Sequence, residues 1–154
     1  MQLNHPARTP AILLLLPGLS AARILNDEKL SKVPKQLRVR LVERLNLYFQ
    51  YRRAKEYEKL NGLTSVESMI GTDKLTLNDF VRREQERDGR FTLTNWRLEC
   101  VSKDSGRKNG QAYLLGVKAV IGYKKGGTDE VDIHLDARIE DGDWFFREYR
   151  IGGW

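Results

Sequence analysis

Few residues in this chain could carry chemistry. It holds two histidines, His5 and His134, and one cysteine, Cys100. That inventory cannot assemble a zinc site of ordinary ligand spacing, and a lone cysteine excludes an intrachain disulfide framework. Cys100 is therefore expected to be a buried structural thiol. Gly126-Gly127 and Gly152-Gly153 have neither the spacing nor the strand-to-helix setting of a phosphate loop. The serines fall in turns and helix caps without a nucleophile elbow. Asp141 and Asp143 flank a turn glycine, which suits a tight hairpin and gives no reason to invoke calcium. No metal and no cofactor is implied. Acid–base chemistry remains, with Asp132, His134 and Asp136 alternating along one stretch and Glu67 and Asp79 standing near helix starts.

These residues sit in a chain of 154, a length that suits one domain. Hydrophobic residues make up 40% and charged residues 31%, enough to bury a core and stay dissolved. A formal charge of +6 permits contact with polyanions, yet the cations are interleaved with 21 acids and the densest runs are Arg52-Arg53, Arg82-Arg83 and Lys124-Lys125. These runs read as solvated faces rather than a nucleic-acid stripe.

Residues 1–22 differ from the rest. Arg8 precedes the apolar run Ala11 to Leu16, Pro17-Gly18 breaks it, and Ser20-Ala21-Ala22 offers small residues before a cut after Ala22. This pattern predicts a short secretory signal and an exported product, periplasmic or secreted. It is too short to span a bilayer, which needs ~20 apolar residues. The competing reading is an apolar arm packed on a cytoplasmic domain. Residues 23–34 are expected to be a linker or N-terminal arm.

From Lys35 the period is helical. Leu37, Leu41, Leu45 and Tyr48-Phe49 form one stripe, predicting a helix from Pro34 to about Arg52. A short helix from Ala54 to Leu60 stops at Gly62. Thr64 with Glu67 and Thr76 with Asp79 have capping-box spacing, the second opening a helix from Leu77 to about Arg87. After Gly89 the period becomes 2 and four strands follow. The first, Arg90 to Val101, changes face between Leu93 and Trp96, predicting a bulge. The second is Gln111 to Lys124, and the third alternates Val131, Ile133, Leu135, Ala137 and Ile139 against Asp132, His134, Asp136, Arg138 and Glu140. Asp141-Gly142 turns into a fourth strand, Trp144 to Ile151. The fold class is α+β: helices on one face of a curved, mainly antiparallel sheet of four strands or more.

Two strings are familiar: Arg53-Ala54-Lys55-Glu56-Tyr57-Glu58-Lys59-Leu60, and Ala137-Arg138-Ile139-Glu140-Asp141-Gly142-Asp143-Trp144-Phe145-Phe146. Over residues 35–151 the chain resembles the nuclear transport factor 2-like superfamily, the cone fold shared by SnoaL-like proteins and ketosteroid isomerases. The resemblance implies a conical, cystatin-like roll with a pocket between sheet and helices, for which Tyr48, Tyr51, Tyr57, Trp96, Tyr113 and Phe146 are the lining candidates. It also implies that Tyr48 stands where the isomerases place their phenol donor. Asp132, His134 and Asp136 fall on the face away from the cone, which weighs against isomerase chemistry.

The expected function is a non-enzymatic domain binding a small apolar ligand or a protein partner. The mixed charge of Asp132, His134, Asp136 and Arg138 would suit a homodimer through the sheet face. The alternative is an isomerase- or dehydratase-type enzyme with Tyr48 as hydrogen-bond donor, His134 or Asp136 in support, and Glu67 or Asp79 as base. A nucleic-acid partner is not expected.

Overall fold

The computed structural model describes residues 28–65, 76–104 and 112–149. The helices are α1 (Lys35–Ala54), α2 (Tyr57–Gly62) and α3 (Leu77–Asp88). The strands are β1 (Phe91–Lys103), β2 (Ala112–Tyr123), β3 (Thr128–Glu140) and β4 (Asp143–Tyr149). They form one antiparallel sheet in the order β1-β2-β3-β4, with the helices preceding it in sequence and packed on it, an α+β architecture. No described helix is long and apolar enough to cross a membrane. The signal-like segment, the capping residue Glu67 and the terminal glycines lie outside the described residues.

The stripe of α1 is buried as Leu41, Leu45, Tyr48 and Phe49. The helix ends at Lys55, whose φ of 59° is left-handed and lets its N–H reach back to the Arg52 carbonyl. Trp144 joins α1 to β4. Its ring is 1% exposed, its Nε1 donates to the Leu37 carbonyl at 3.3 Å, and its own carbonyl accepts from Arg44 Nε at 2.8 Å. Arg40 clasps Asp143 through Nε and Nη2 at 3.0 and 2.7 Å. Of the stretch expected to be a linker or arm, Glu28–Leu30 forms a 3-10 turn, and Leu30 and Val33 are fully buried. That part is a docked arm.

Thr76 caps α3, its hydroxyl oxygen accepting from the Asp79 N–H at 3.2 Å and its hydroxyl donating to the Asp79 carboxylate at 2.8 Å. Replacing Thr76 with alanine should lower stability by about 1 kcal/mol. Urea unfolding measures this, and an unchanged midpoint would mean that the cap carries no net weight. For the other expected cap, Thr64, the partner Glu67 lies outside the described residues. The Thr64 hydroxyl donates to the Leu60 carbonyl at 3.2 Å, and Thr64 forms a parallel bridge with Phe146. Ser65 N–H donates to the Phe146 carbonyl at 3.0 Å, and Phe146 N–H donates to the Leu63 carbonyl at 2.8 Å. Residues 63–65 thus lie along the free margin of β4.

The face change in β1 appears as a register shift between Leu93 and Asn95, and a second shift follows between Leu98 and Cys100. The second was not expected from the sequence and it corrects the reading of Cys100. With Leu98 and Val101 both turned inward, the thiol residue between them is exposed. The β3–β4 turn uses Asp141 and Gly142 at φ 49° and 79°, both left-handed, as a two-residue hairpin of this hand requires.

Candidate functional site

The inward stripe of α1 continues one turn past Phe49 and ends on a charge, since Arg52 is seven residues after Leu45 and 6% exposed. The stripe of α3 likewise runs from Phe80 to Glu84, Arg87 and Asp88. On β4 the alternation that buries Trp144 and Phe146 brings Glu148 to the same face. Three elements therefore deliver ionised groups to the wide end of the core. Arg52 reaches Glu148 at 3.0 Å and Glu84 at 3.4 Å. Arg87 donates to both Glu148 oxygens at 2.9 and 3.0 Å and to Glu84. The Tyr48 hydroxyl accepts from Arg52 at 3.3 Å and faces a Glu148 oxygen at 3.5 Å, while the Tyr57 hydroxyl donates to Asp88 at 2.7 Å.

Beside this network lies a cavity of about 300 Å³, lined among the described residues by Tyr48, Phe80 and Phe146 and by Arg83, Glu84 and Glu148. Burial pushes the Tyr48 phenol above its ordinary range, so it stays protonated and acts as donor or acceptor only. Burial also raises the Glu84 carboxyl, with Arg52 pulling the other way. A carboxyl raised in the folded state holds its proton more tightly there than in the unfolded chain. Its contribution to stability is therefore full below the ordinary value of 4.5 and is lost as pH rises through the folded value. Glu84→Gln should accordingly gain on the native protein as pH climbs above 4.5. Thermal melting of both across pH 4 to 8 tests this, and a variant that only keeps pace with the native protein, or falls further behind it, as pH rises would contradict it.

Of the six expected lining residues, Tyr48 and Phe146 stand at this cavity, their rings 5.5 Å apart edge to face. Trp96 stacks on Phe49 at 4.5 Å, and Tyr113 tilts against Trp144 at 5.7 Å. Tyr51 lies under the Lys59 ammonium, and Tyr57 serves Asp88. Those four belong to the packing around the site. Asp79 is engaged by Thr76 and Arg82 at the start of α3 and does not line the cavity.

Along β3, Ile133, Leu135 and Ala137 belong to the core, so His134 and Asp136 point to the opposite face. Asp132 is exposed there and held by Lys118 at 2.7 Å. Asp136 and Arg138 correct the expectation of an open, mixed-charge sheet face. They are 0% and 3% exposed, and Arg138 Nε donates to Asp136 at 2.5 Å. An ion pair already buried within one chain is not presented to a second copy. Arg52, Glu84, Arg87 and Glu148, which make the site, are not marked by the sequence reading, which puts the Arg52-Arg53 run on a solvated face. Their positions in the apolar periods were the available signal.

No protein-family model matches the sequence, and no curated protein matches it either. Solved structures do. A SEC-C motif-containing protein from Rhodopseudomonas palustris is similar with a TM-score of 0.51 at 12% identity, over 71% of this chain and 77% of that one. A candidate polyketide cyclase from Pseudomonas putida aligns over 71% of this chain and 90% of that one, with a TM-score of 0.41 at 15% identity. At these identities the likeness concerns the fold alone.

Proposed function

We propose that this chain is a non-enzymatic binding domain of nuclear transport factor 2-like architecture that takes a small, largely apolar molecule into the cavity beside Tyr48. One observation carries this reading. Phe80 and Phe146 line the cavity, while Arg52 and Arg87 hold both carboxylates at its back, Glu84 and Glu148. Both carboxylates are thereby tied to the protein's own guanidinium groups. An apolar body against the rings and a polar end toward Tyr48 match the usual division of labour in ligand pockets. The signal-like leader extends the reading to an exported carrier or sensor.

The test is a titration of the ¹⁵N-labelled protein with 2-naphthamide, a neutral bicyclic probe. Saturable amide shifts confined to the neighbourhood of Tyr48, Ser65, Phe80 and Phe146, and abolished by Phe80→Trp, are expected. Shifts scattered over the surface, or none, would end the proposal.

A second reading, an isomerase-type enzyme with Tyr48 as donor, has one observation in its favour. Glu84 lines the same cavity and burial raises its carboxyl. Tyr48→Phe separates the two readings: a binding domain keeps its affinity for the probe within a few-fold, whereas an enzyme of this type loses proton transfer on a ketone substrate by about 10²-fold or more.

A further inference from the structure

At the end of the sheet away from the β3–β4 turn, the α3–β1 turn and the β2–β3 hairpin meet in an open groove. Gly89, Arg90, Tyr123, Lys124, Lys125 and Gly126 line it. Among the described residues, its three cations have no acid beside them in the groove, and none makes an ion pair or a side-chain hydrogen bond. Arg52, Arg87, Arg40 and Arg97, by contrast, are all bound to carboxylates. Of the nearest acids in sequence, Asp88 is buried and bonded by Tyr57, while Asp129 is exposed and accepts from the Glu130 N–H. Tyr123 lies among these cations at 44% exposure, one of three large apolar side chains that the described residues leave in solvent.

We propose that this end of the molecule is a contact surface for an anionic lipid bilayer. Three cations together with an amphipathic ring on a projecting hairpin are the elements that hold a protein at a headgroup layer, the cations by charge and the tyrosine by sitting at the interface. A discrete phosphate is the poorer occupant, since two of the hairpin N–H groups that might cradle it are used internally. Gly126 N–H donates to the Tyr123 carbonyl and Tyr123 N–H to the Gly127 carbonyl, each at 3.0 Å. The groove thus offers diffuse charge without a chelating nest, which suits many headgroups better than one. The two left-handed glycines, Gly126 and Gly127 at φ 94° and 87°, keep the tip free of bulk where it would meet the surface.

The experiment is co-sedimentation of the full chain with vesicles of 30% phosphatidylglycerol in phosphatidylcholine, against pure phosphatidylcholine, at low and high salt. Binding is expected to the anionic vesicles alone, and it should fall steeply with salt. Lys124→Gln/Lys125→Gln should weaken partitioning roughly thirty-fold, the product of two basic contacts. Tyr123→Ser should weaken it by a smaller factor. A control of equal charge loss elsewhere, Lys32→Gln/Lys35→Gln, should bind like the native chain, and unchanged melting temperatures confirm that all three variants fold. Any of three results overturns the proposal: no binding by the native chain, equal losses in the control, or tight binding of a single-stranded oligonucleotide without vesicle binding.

Discussion

Replacing Arg52 with methionine will cost about 3–5 kcal/mol in urea unfolding at neutral pH, the range found when one partner of a buried ion network is removed. The side chain of Arg52 is 5% exposed and that of Glu84 is 4% exposed, so neither can recover its hydration once the other is gone. Arg87 would then be, among the described residues, the one close buried counter-charge of both Glu84 and Glu148. The loss should therefore be largely reversed when Glu148→Leu is added, because the surplus buried charge leaves with it. A single variant within 1 kcal/mol of the native protein would show that water reaches the network and that its charges are screened.

Trp144→Ala should be comparably severe, about 3–5 kcal/mol, with a melting temperature lower by roughly 10 °C. The indole is fully packed between the first half of α1 and Tyr113, and its loss also removes the hydrogen bond from Nε1 to the Leu37 carbonyl. Trp144→Phe keeps most of the volume and loses the donor, and should fall between the two. If the phenylalanine variant equals the alanine variant, the hydrogen bond outweighs the packing and the energetic assignment made for Trp144 is wrong.

The architecture was largely legible from periodicity. The change of period at Gly89, the alternation of β2 and β3 and the Asp141-Gly142 turn fixed the sheet to within a few residues, since one face of each strand is apolar without exception over five or six positions. Local chemistry was less dependable where tertiary bonds compete with it. Thr64 pairs its backbone with Phe146, while Glu67, its expected capping partner, lies outside the described residues. Cys100 is exposed because β1 carries a second bulge, between Leu98 and Cys100, that the alternation of residue types does not show. The site was the least legible part. Arg52, Glu84 and Glu148 are polar residues in apolar registers, and in a single sequence such a residue is indistinguishable from the ragged end of a stripe until its counter-charge is located. The three come from elements far apart in the chain, so no local pattern joins them.

The two margins of the sheet bear on how copies of this protein can meet. Residues 63–65 occupy the outer hydrogen-bonding groups of β4 at Phe146. On β1, two bulges interrupt the ladder and the Lys29 ammonium donates to the Leu98 carbonyl at 3.0 Å. A sheet with one side occupied and the other kinked and partly engaged is a poor template for strand addition. Crowding this protein should therefore favour contacts through its faces or its tips over growth of the sheet from molecule to molecule, and fibrillar aggregation would first require the 63–65 segment to peel away.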